Sequence, residues 1–283
     1  MSRIVYVNGR FVPEAEAMVS VFDRGFLFAD SVYEVTSVIG GRLVDNRAHL
    51  GRLRRSLGAI DLTLPAADDA IEAIQRELIA RNQLDEGIVY LQVSRGAEDR
   101  DFTWSTGLVP TLVLFTQARA VIDSPLAHRG LKVIALPDLR WRRRDIKATG
   151  LLPACLAKMA AKRAGADDAW LVADGMVTEG ASSNAYIVDA RGRLVTRPLS
   201  HDILAGITRE ALLELCARQG LPLEERPFAL EEAYAAREAF VTSASILVTG
   251  VVAIDGRPIG DGTPGPLTRQ LRQIYLEFAR AGG

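Results

Sequence analysis

Lys147 and Glu179 are the two residues of this chain whose type and setting best suit chemistry. Lys147 stands in Asp145-Ile146-Lys147-Ala148-Thr149-Gly150, and 32 residues later Glu179 opens Glu179-Gly180-Ala181-Ser182-Ser183-Asn184. Only four of the 34 basic residues are lysine. Arginine cannot form an imine, whereas lysine can once desolvation or neighbouring cations help it lose its proton. The Arg142-Arg143-Arg144 run just upstream suggests such crowding. The plainer reading is that most lysines are solvated surface charges. It suits Lys158 and Lys162, four apart on one face of an expected helix, and Lys132, which opens an apolar run. It suits Lys147 least.

An amine and an acid of this kind match two of the four needs of pyridoxal phosphate: a lysine, an acid for the pyridinium nitrogen, a phosphate cradle and a side chain pressed on the ring. The acid keeps the ring protonated, so that it accepts electrons from a substrate carbanion. Glu179 follows the turn Ala173-Asp174-Gly175 and lies among Gly, Ser and Asn residues, where irregular backbone is expected. For the phosphate, Gly206-Ile207-Thr208-Arg209 offers a helix start, where N–H groups and the helix dipole favour an anion. An ordinary helix start fits those residues equally well. Thr242-Ser243-Ala244-Ser245 adds small residues after a strand, and Arg52 adds a cation if it is not simply an exposed helical arginine.

Composition removes other classes. The chain has 283 residues, 48% of them hydrophobic, with 34 basic and 35 acidic side chains and a net charge of −1. It therefore carries no field favouring nucleic acid or an acidic membrane. No apolar stretch reaches the roughly 18 residues of a spanning helix; residues 246–254 come nearest and contain Thr249 and Gly250. Residues 1–10 alternate and lack an apolar leader core, so the protein is expected in the cytoplasm. His49, His128 and His201 are scattered, and Cys155 and Cys216 lack metal-ligand spacing, so no metal is expected and both thiols are expected to be buried. There is no Gly-x-Ser-x-Gly elbow, P-loop or dinucleotide fingerprint, which leaves hydrolase and nucleotide-binding readings unsupported.

The elements that must position these residues form an α+β (mixed α/β) pattern. Asn8-Gly9 between Ile4–Val7 and residues 10–12 predicts a hairpin, and Gly40-Gly41 between 32–39 and 42–44 predicts a second. A helix follows with Asn46 as its N-cap and Leu50, Leu53, Leu57 and Ile60 on its apolar face; another spans about 67–81. Residues 88–94 and 111–116 are strands, the second apolar enough to be central in a sheet. Further strands are expected at 131–136, 169–172, 176–177, 185–189, 194–196, 239–243 and 248–254. Helices are expected at 151–164, 206–218 and 266–280. This divides the chain into a small domain at 1–118, a linker at 119–130 and a larger domain at 131–283 carrying Lys147.

Taken in order, Asp23-Arg24-Gly25, Val32-Tyr33-Glu34-Val35, Asp145-Ile146-Lys147, residues 178–184, Gly206-Ile207-Thr208-Arg209 and Phe240-Val241-Thr242-Ser243 resemble the fold type IV pyridoxal phosphate enzymes, the class IV aminotransferases. The likeness runs from Tyr6 to about Phe278. It is strongest to the D-amino acid aminotransferases, through Tyr33-Glu34-Val35 and residues 204–209. The resemblance implies a two-domain fold with Lys147 as Schiff-base lysine and proton shuttle and Glu179 as partner of the pyridine nitrogen. Arg52, Ile207, Thr208, Ser243 and Ala244 would surround the phosphate, and Leu204 would lean on the ring. Tyr33, with Val35 and Ser37 on its strand, would lie toward the substrate, and Arg100 would cross a homodimer interface to meet the substrate carboxylate.

Three positions depart from the family pattern. Phe102 stands where a histidine often accompanies the arginine, Ser37 where a basic residue is common, and Ala244 where a threonine hydroxyl often helps the phosphate. The cofactor chemistry is thus expected intact and the carboxylate grip weakened. The implied reaction moves the amino group of a D-amino acid such as D-alanine to a 2-oxo acid, 2-oxoglutarate or pyruvate, with side activity on (R)-amines. Alternatives are a branched-chain L-amino acid aminotransferase, an (R)-amine transaminase, an aminodeoxychorismate lyase and a non-catalytic pyridoxal phosphate carrier.

Overall fold

The structure, a computed structural model, describes residues 2–282. It divides into two compact units. The first comprises the chain up to Ala120 together with Ile146–Gly150, and the second comprises Val121–Asp145 and Leu151–Ala281. The lysine segment therefore belongs to the first unit, not to the 131–283 domain in which the sequence placed it. Its extended backbone pairs with a strand of the first unit, a long-range contact that no local pattern announces.

The first unit contains β1 (Ile4–Val7), β2 (Arg10–Pro13), α1 (Arg24–Phe28), β3 (Ser31–Ile39), β4 (Arg42–Leu43), α2 (Asn46–Gly58), α3 (Asp68–Arg81), β5 (Glu86–Ser94) and β6 (Thr111–Ala118). Its strands form an antiparallel sheet in the order β2-β1-β6-β5-β3-β4, so β6 is indeed interior. Asn8 and Gly9 both take positive φ, 46° and 90°, as the primed turn of a tight hairpin requires. Leu50, Leu53 and Leu57 of α2 pack with Ile71 and Leu78 of α3 on Val38, Val89, Leu91 and Leu114 of the sheet. The helix starts one residue earlier than expected. Asp45 holds the N-cap place in left-handed backbone without a side-chain cap bond, and Asn46 is already helical.

The second unit contains α4 (Pro125–Arg129), β7 (Leu131–Pro137), α5 (Leu152–Arg163), β8 (Asp168–Ala173), β9 (Met176–Gly180), β10 (Asn184–Val188), β11 (Leu194–Thr196), α6 (Ile207–Arg218), β12 (Leu223–Glu225), α7 (Leu230–Tyr234), β13 (Glu238–Ser243), β14 (Leu247–Ile254), β15 (Arg257–Pro258) and α8 (Pro266–Ala281). The strands run β12-β11-β10-β13-β14-β7-β8-β9, with β15 added beside β14. Trp170, Phe228, Ile187, Val241 and Val251 fill its core. The expected linker at 119–130 contains a helix, α4. The Ser124 side chain accepts from Ala127 N–H and Pro125 takes the first turn, a capping signal hidden by the short length.

Helix α8 is fixed from below. The Glu238 carboxylate of β13 accepts the N–H groups of Leu267 and Thr268 at 3.0 and 2.8 Å, and also the Thr268 hydroxyl. A side chain at Gly265 would collide with that carboxylate, its Cβ coming within 2.1 Å. Against expectation Cys155 is exposed on α5, while Cys216 is buried and its thiol is pushed up to about 11 by desolvation. No helix is long and apolar enough to cross a membrane, and no cluster of metal-binding side chains occurs among the described residues.

Candidate active site

In the first unit, Lys147 is held by its backbone. Tyr33 N–H donates to the Lys147 carbonyl at 3.0 Å, and Thr149 N–H donates to the Ser31 carbonyl at 3.2 Å. Lys147 N–H donates to Ser56 Oγ at 3.2 Å, and Ile146 beside it is buried in the core. The segment that carries the amine is thus tied to β3 by backbone bonds on either side of Ala148. Lys147 Nζ lies 4.3 Å from the centroid of the Tyr33 ring, within cation–π range, and no carboxylate pairs with it among the described residues. The upstream arginines do not act as the sequence suggested: Arg143 grips Asp145 with two bonds at 3.0 Å, and Arg144 lies beside Asp138 and Asp202. Their charge is met by acids.

Strand alternation separates two tasks on β3. Tyr33, Val35 and Ser37 share one face, where Tyr33 stacks on Tyr90 at 5.6 Å and Tyr90 on Phe115 at 4.7 Å. Ser37 is buried. Glu34 points the other way and meets α2. It accepts Arg52 Nε and Nη2 at 2.8 and 2.7 Å and His49 Nδ1 at 2.7 Å, with all three side chains buried. Arg52 is therefore not the exposed helical arginine of the plainer reading. Burial alone would raise the Glu34 carboxyl, but the charge and hydrogen bonds of Arg52, then those of His49, hold it at about 2. Burial also pushes His49 below its ordinary value, and its hydrogen bond to Glu34 opposes that shift.

Arg100 and Phe102 lie in a loop shaped by Arg24, a role the sequence did not disclose. The buried Arg24 guanidinium bonds Asp30 at 2.9 Å and Glu98 at 3.2 Å, and donates to the carbonyls of Asp101, Phe102 and Thr103 at 2.7–3.2 Å. Asp23 caps α1 through Gly25 N–H and accepts Ser94 Oγ. A Cβ at Gly25 would come within 2.8 Å of Ser94, so the Asp23-Arg24-Gly25 motif is a loop anchor. Arg100 spreads over the rings of Phe28 and Phe102 at 5.1 and 5.5 Å, and Phe102 is 78% exposed.

In the second unit, Glu179 is the penultimate residue of β9, is buried and is held by three donors among the described residues. Arg140 Nη1 donates to its Oε1 at 2.6 Å, and Asn184 Nδ2 and Leu204 N–H donate to its Oε2 at 2.9 and 3.1 Å. Burial pushes this carboxyl above its ordinary range, and Arg140 opposes the rise. A carboxylate offers about four lone-pair sites; three are filled, and the vacancy is on Oε1. Arg140, which the sequence reading missed among thirty arginines, is itself clamped by Asp138 through Nε at 3.0 Å and Nη2 at 2.8 Å. Asn184 also donates to the Leu204 carbonyl at 2.9 Å, which ties Leu204 to the acid. Gly206 lies so close that a Cβ would stand 2.0 Å from Asn184 Oδ1.

Helix α6 begins at Ile207 after this glycine with no side-chain cap, so the N–H groups of its first turn have no side-chain acceptor. Ile207 and Thr208 are buried there, and Ser243 and Ala244 sit at the β13–β14 turn. Taken separately, the Lys147 amine of the first unit and the buried carboxylate and uncapped helix start of the second are each of a kind that belongs in a donor set for pyridoxal phosphate.

The Glu34 cluster predicts an acid-sensitive first unit. Because the folded carboxyl titrates at about 2 rather than 4.5, its stabilisation is fully present above 4.5 and is lost as pH falls toward 2. Glu34→Gln should lower the melting temperature at pH 7 and flatten its decline over that acid window. Parallel melting curves against pH for the two proteins would contradict this.

Comparison with known proteins identifies the family. The family model for amino-transferase class IV matches residues 31–254. The chain is 38% identical over 270 residues to the D-alanine aminotransferase of Bacillus licheniformis, covering 95% of this chain and 94% of that protein. It is 36% identical over 282 residues to the D-alanine aminotransferase of Listeria innocua serovar 6a, covering 99% and 97%. Among solved structures it superposes with a TM-score of 0.89 on the branched-chain aminotransferase of Thermoproteus uzoniensis with norvaline. That protein is 28% identical, with coverage of 100% of this chain and 96% of the other. With a motif set, a donor set and a family model in agreement, the chain belongs to the class IV aminotransferases.

Proposed function

We propose that the protein is a pyridoxal phosphate-dependent transaminase that moves the amino group of a D-amino acid such as D-alanine to 2-oxoglutarate or pyruvate. The observation that carries the chemistry is the Lys147 amine, held over the Tyr33 ring by backbone bonds of its segment to β3 and without a carboxylate partner among the described residues. The choice of a D-amino acid is supported by the relatives, several of which are D-alanine aminotransferases over nearly their whole length. When bound, pyridoxal phosphate supplies a carbonyl for amines and a protonated ring that accepts the electron pair left when a Cα–H bond breaks.

The residues divide that work. Lys147 would hold the cofactor at rest, and once the donor amine takes its place Nζ would accept the Cα proton and deliver it to the cofactor carbon on the other side of the transferred nitrogen. Glu179 Oε1 holds the ring proton, fixed by Arg140, Asn184 and Leu204. The N–H groups of Ile207 and Thr208, with Ser243, Ala244 and Arg52, hold the phosphate, and Leu204 presses on the ring. Tyr33, Val35 and Ser37 face the substrate. Arg100 meets the substrate carboxylate across a homodimer interface, alongside Phe102. The dimer is supported by Leu152, Leu156 and Met159, which leave an exposed apolar stripe at helical spacing on α5. A second reading, a branched-chain L-amino acid aminotransferase, is favoured by the structural likeness and by Phe102 and Ser37, which weaken the expected carboxylate grip.

If Glu179 holds the ring proton, Glu179→Gln should keep the fold and bind cofactor yet slow transamination by ~10²-fold or more, the scale of a lost transition-state contact. An unchanged rate would leave Glu179 with a structural task only.

Donor choice is tested at Arg100. Arg100→Ala should cost D-alanine and D-glutamate about 2 kcal/mol or more in kcat/KM while sparing (R)-1-phenylethylamine, which has no carboxylate. Equal losses would remove Arg100 from the carboxylate site, and a strong preference for L-leucine would replace the D-amino acid reading.

A further inference from the structure

The phosphate cradle proposed above includes Ser243 and Ala244, and the inference here rests on that reading. Ser243 pairs with Leu247 across the β13–β14 hairpin, which leaves Ala244, Ser245 and Ile246 as a three-residue loop. Such loops close through a residue of left-handed backbone, a place that normally falls to glycine. Here the left-handed residue is Leu247, the first residue of β14 just after the loop, at φ 56° and fully buried. A bulky side chain keeps that conformation only where its surroundings dictate it.

Arg272 of α8 is what dictates it. Its Nη1 donates to the carbonyls on both sides of Leu247, to Ile246 at 2.9 Å and Val248 at 2.7 Å. Its Nη2 donates to the carbonyls of Val121 and Ile122 at 2.9 and 2.7 Å. The Thr249 hydroxyl adds a 2.6 Å bond to the Ile246 carbonyl. One guanidinium thus joins the two sides of the strained residue to the segment that enters this unit, and no carboxylate within salt-bridge distance claims it among the described residues. Helix α8 can hold it steady because Glu238 anchors the helix start. Only a planar fork with five donors can bridge four carbonyls in this way, and a lysine has neither the shape nor the number.

We infer that Arg272 is a positioning residue for the cofactor phosphate: it holds the 243–247 turn in the shape that receives that group. It acts through backbone alone and touches neither cofactor nor substrate. Its removal should therefore be felt by the phosphate and not by the aldehyde or the ring.

The test compares pyridoxal phosphate with pyridoxal, which lacks the phosphate, by measuring the affinity of each for wild type, Arg272→Lys, Arg272→Met and Leu276→Ala. Leu276 is buried on the same helix and serves as a packing control. Arg272→Lys should weaken pyridoxal phosphate by about tenfold or more, the scale of lost charged hydrogen bonds, while pyridoxal stays within about twofold. Leu276→Ala should lower the melting temperature without changing the ratio of the two affinities. Equal losses for both cofactors in the Arg272 variants, or no loss in either variant, would overturn the inference. A wild-type protein that does not prefer pyridoxal phosphate to pyridoxal would overturn the cradle itself.

Discussion

A carboxylate taken out of water must be met by fixed donors or it will take up a proton, and two buried acids place this constraint at the centre of each unit. Glu34 is met by Arg52 and His49, and Glu179 by Arg140, Asn184 and the Leu204 amide. In both cases the strand that carries the acid also carries, or adjoins, residues proposed above to face the cofactor or substrate. Tyr33 and Val35 flank Glu34 on β3, and Asn184 and Leu204 are tied together through Glu179. The ion clusters therefore fix backbone and rotamer at the same positions where a reacting group must be held to within a fraction of an ångström.

The balance at the two acids differs, and the difference suits their tasks. At Glu34 the charge of Arg52 outweighs burial, and the carboxyl is held at about 2. At Glu179 burial outweighs Arg140, and the carboxyl is pushed upward. A structural anion gains from an unconditional charge. An acid with the role proposed for Glu179, sharing a proton with a ring nitrogen, gains from a higher affinity for it.

Much of the proposed site rests on residues that lie in local sequence signals. Lysine rarity marked Lys147, the small-residue run after a turn marked Glu179, and Gly206 before an amphipathic run marked the start of α6. The hairpins at Asn8-Gly9 and Gly40-Gly41, the face of α2 and the interior place of β6 followed from periodicity and turn chemistry. What escaped was set by distant contacts. Arg24 shapes the Arg100 loop from more than seventy residues away, and Arg140 reaches Glu179 across 39. The lysine segment joins the first unit by pairing with β3. In a chain so rich in arginine no composition signal could single out these partners, and a left-handed Leu247 is invisible where glycine would have announced the turn.

The central claim is that the cofactor is carried by the Lys147 amine. Borohydride reduction of the holoenzyme followed by peptide mapping tests it most directly. The expected result is a yellow protein that loses its colour on reduction and yields a single modified peptide, labelled at Lys147. An adduct on Lys132, Lys158 or Lys162, or a protein with no visible absorbance after exposure to pyridoxal phosphate, would contradict it.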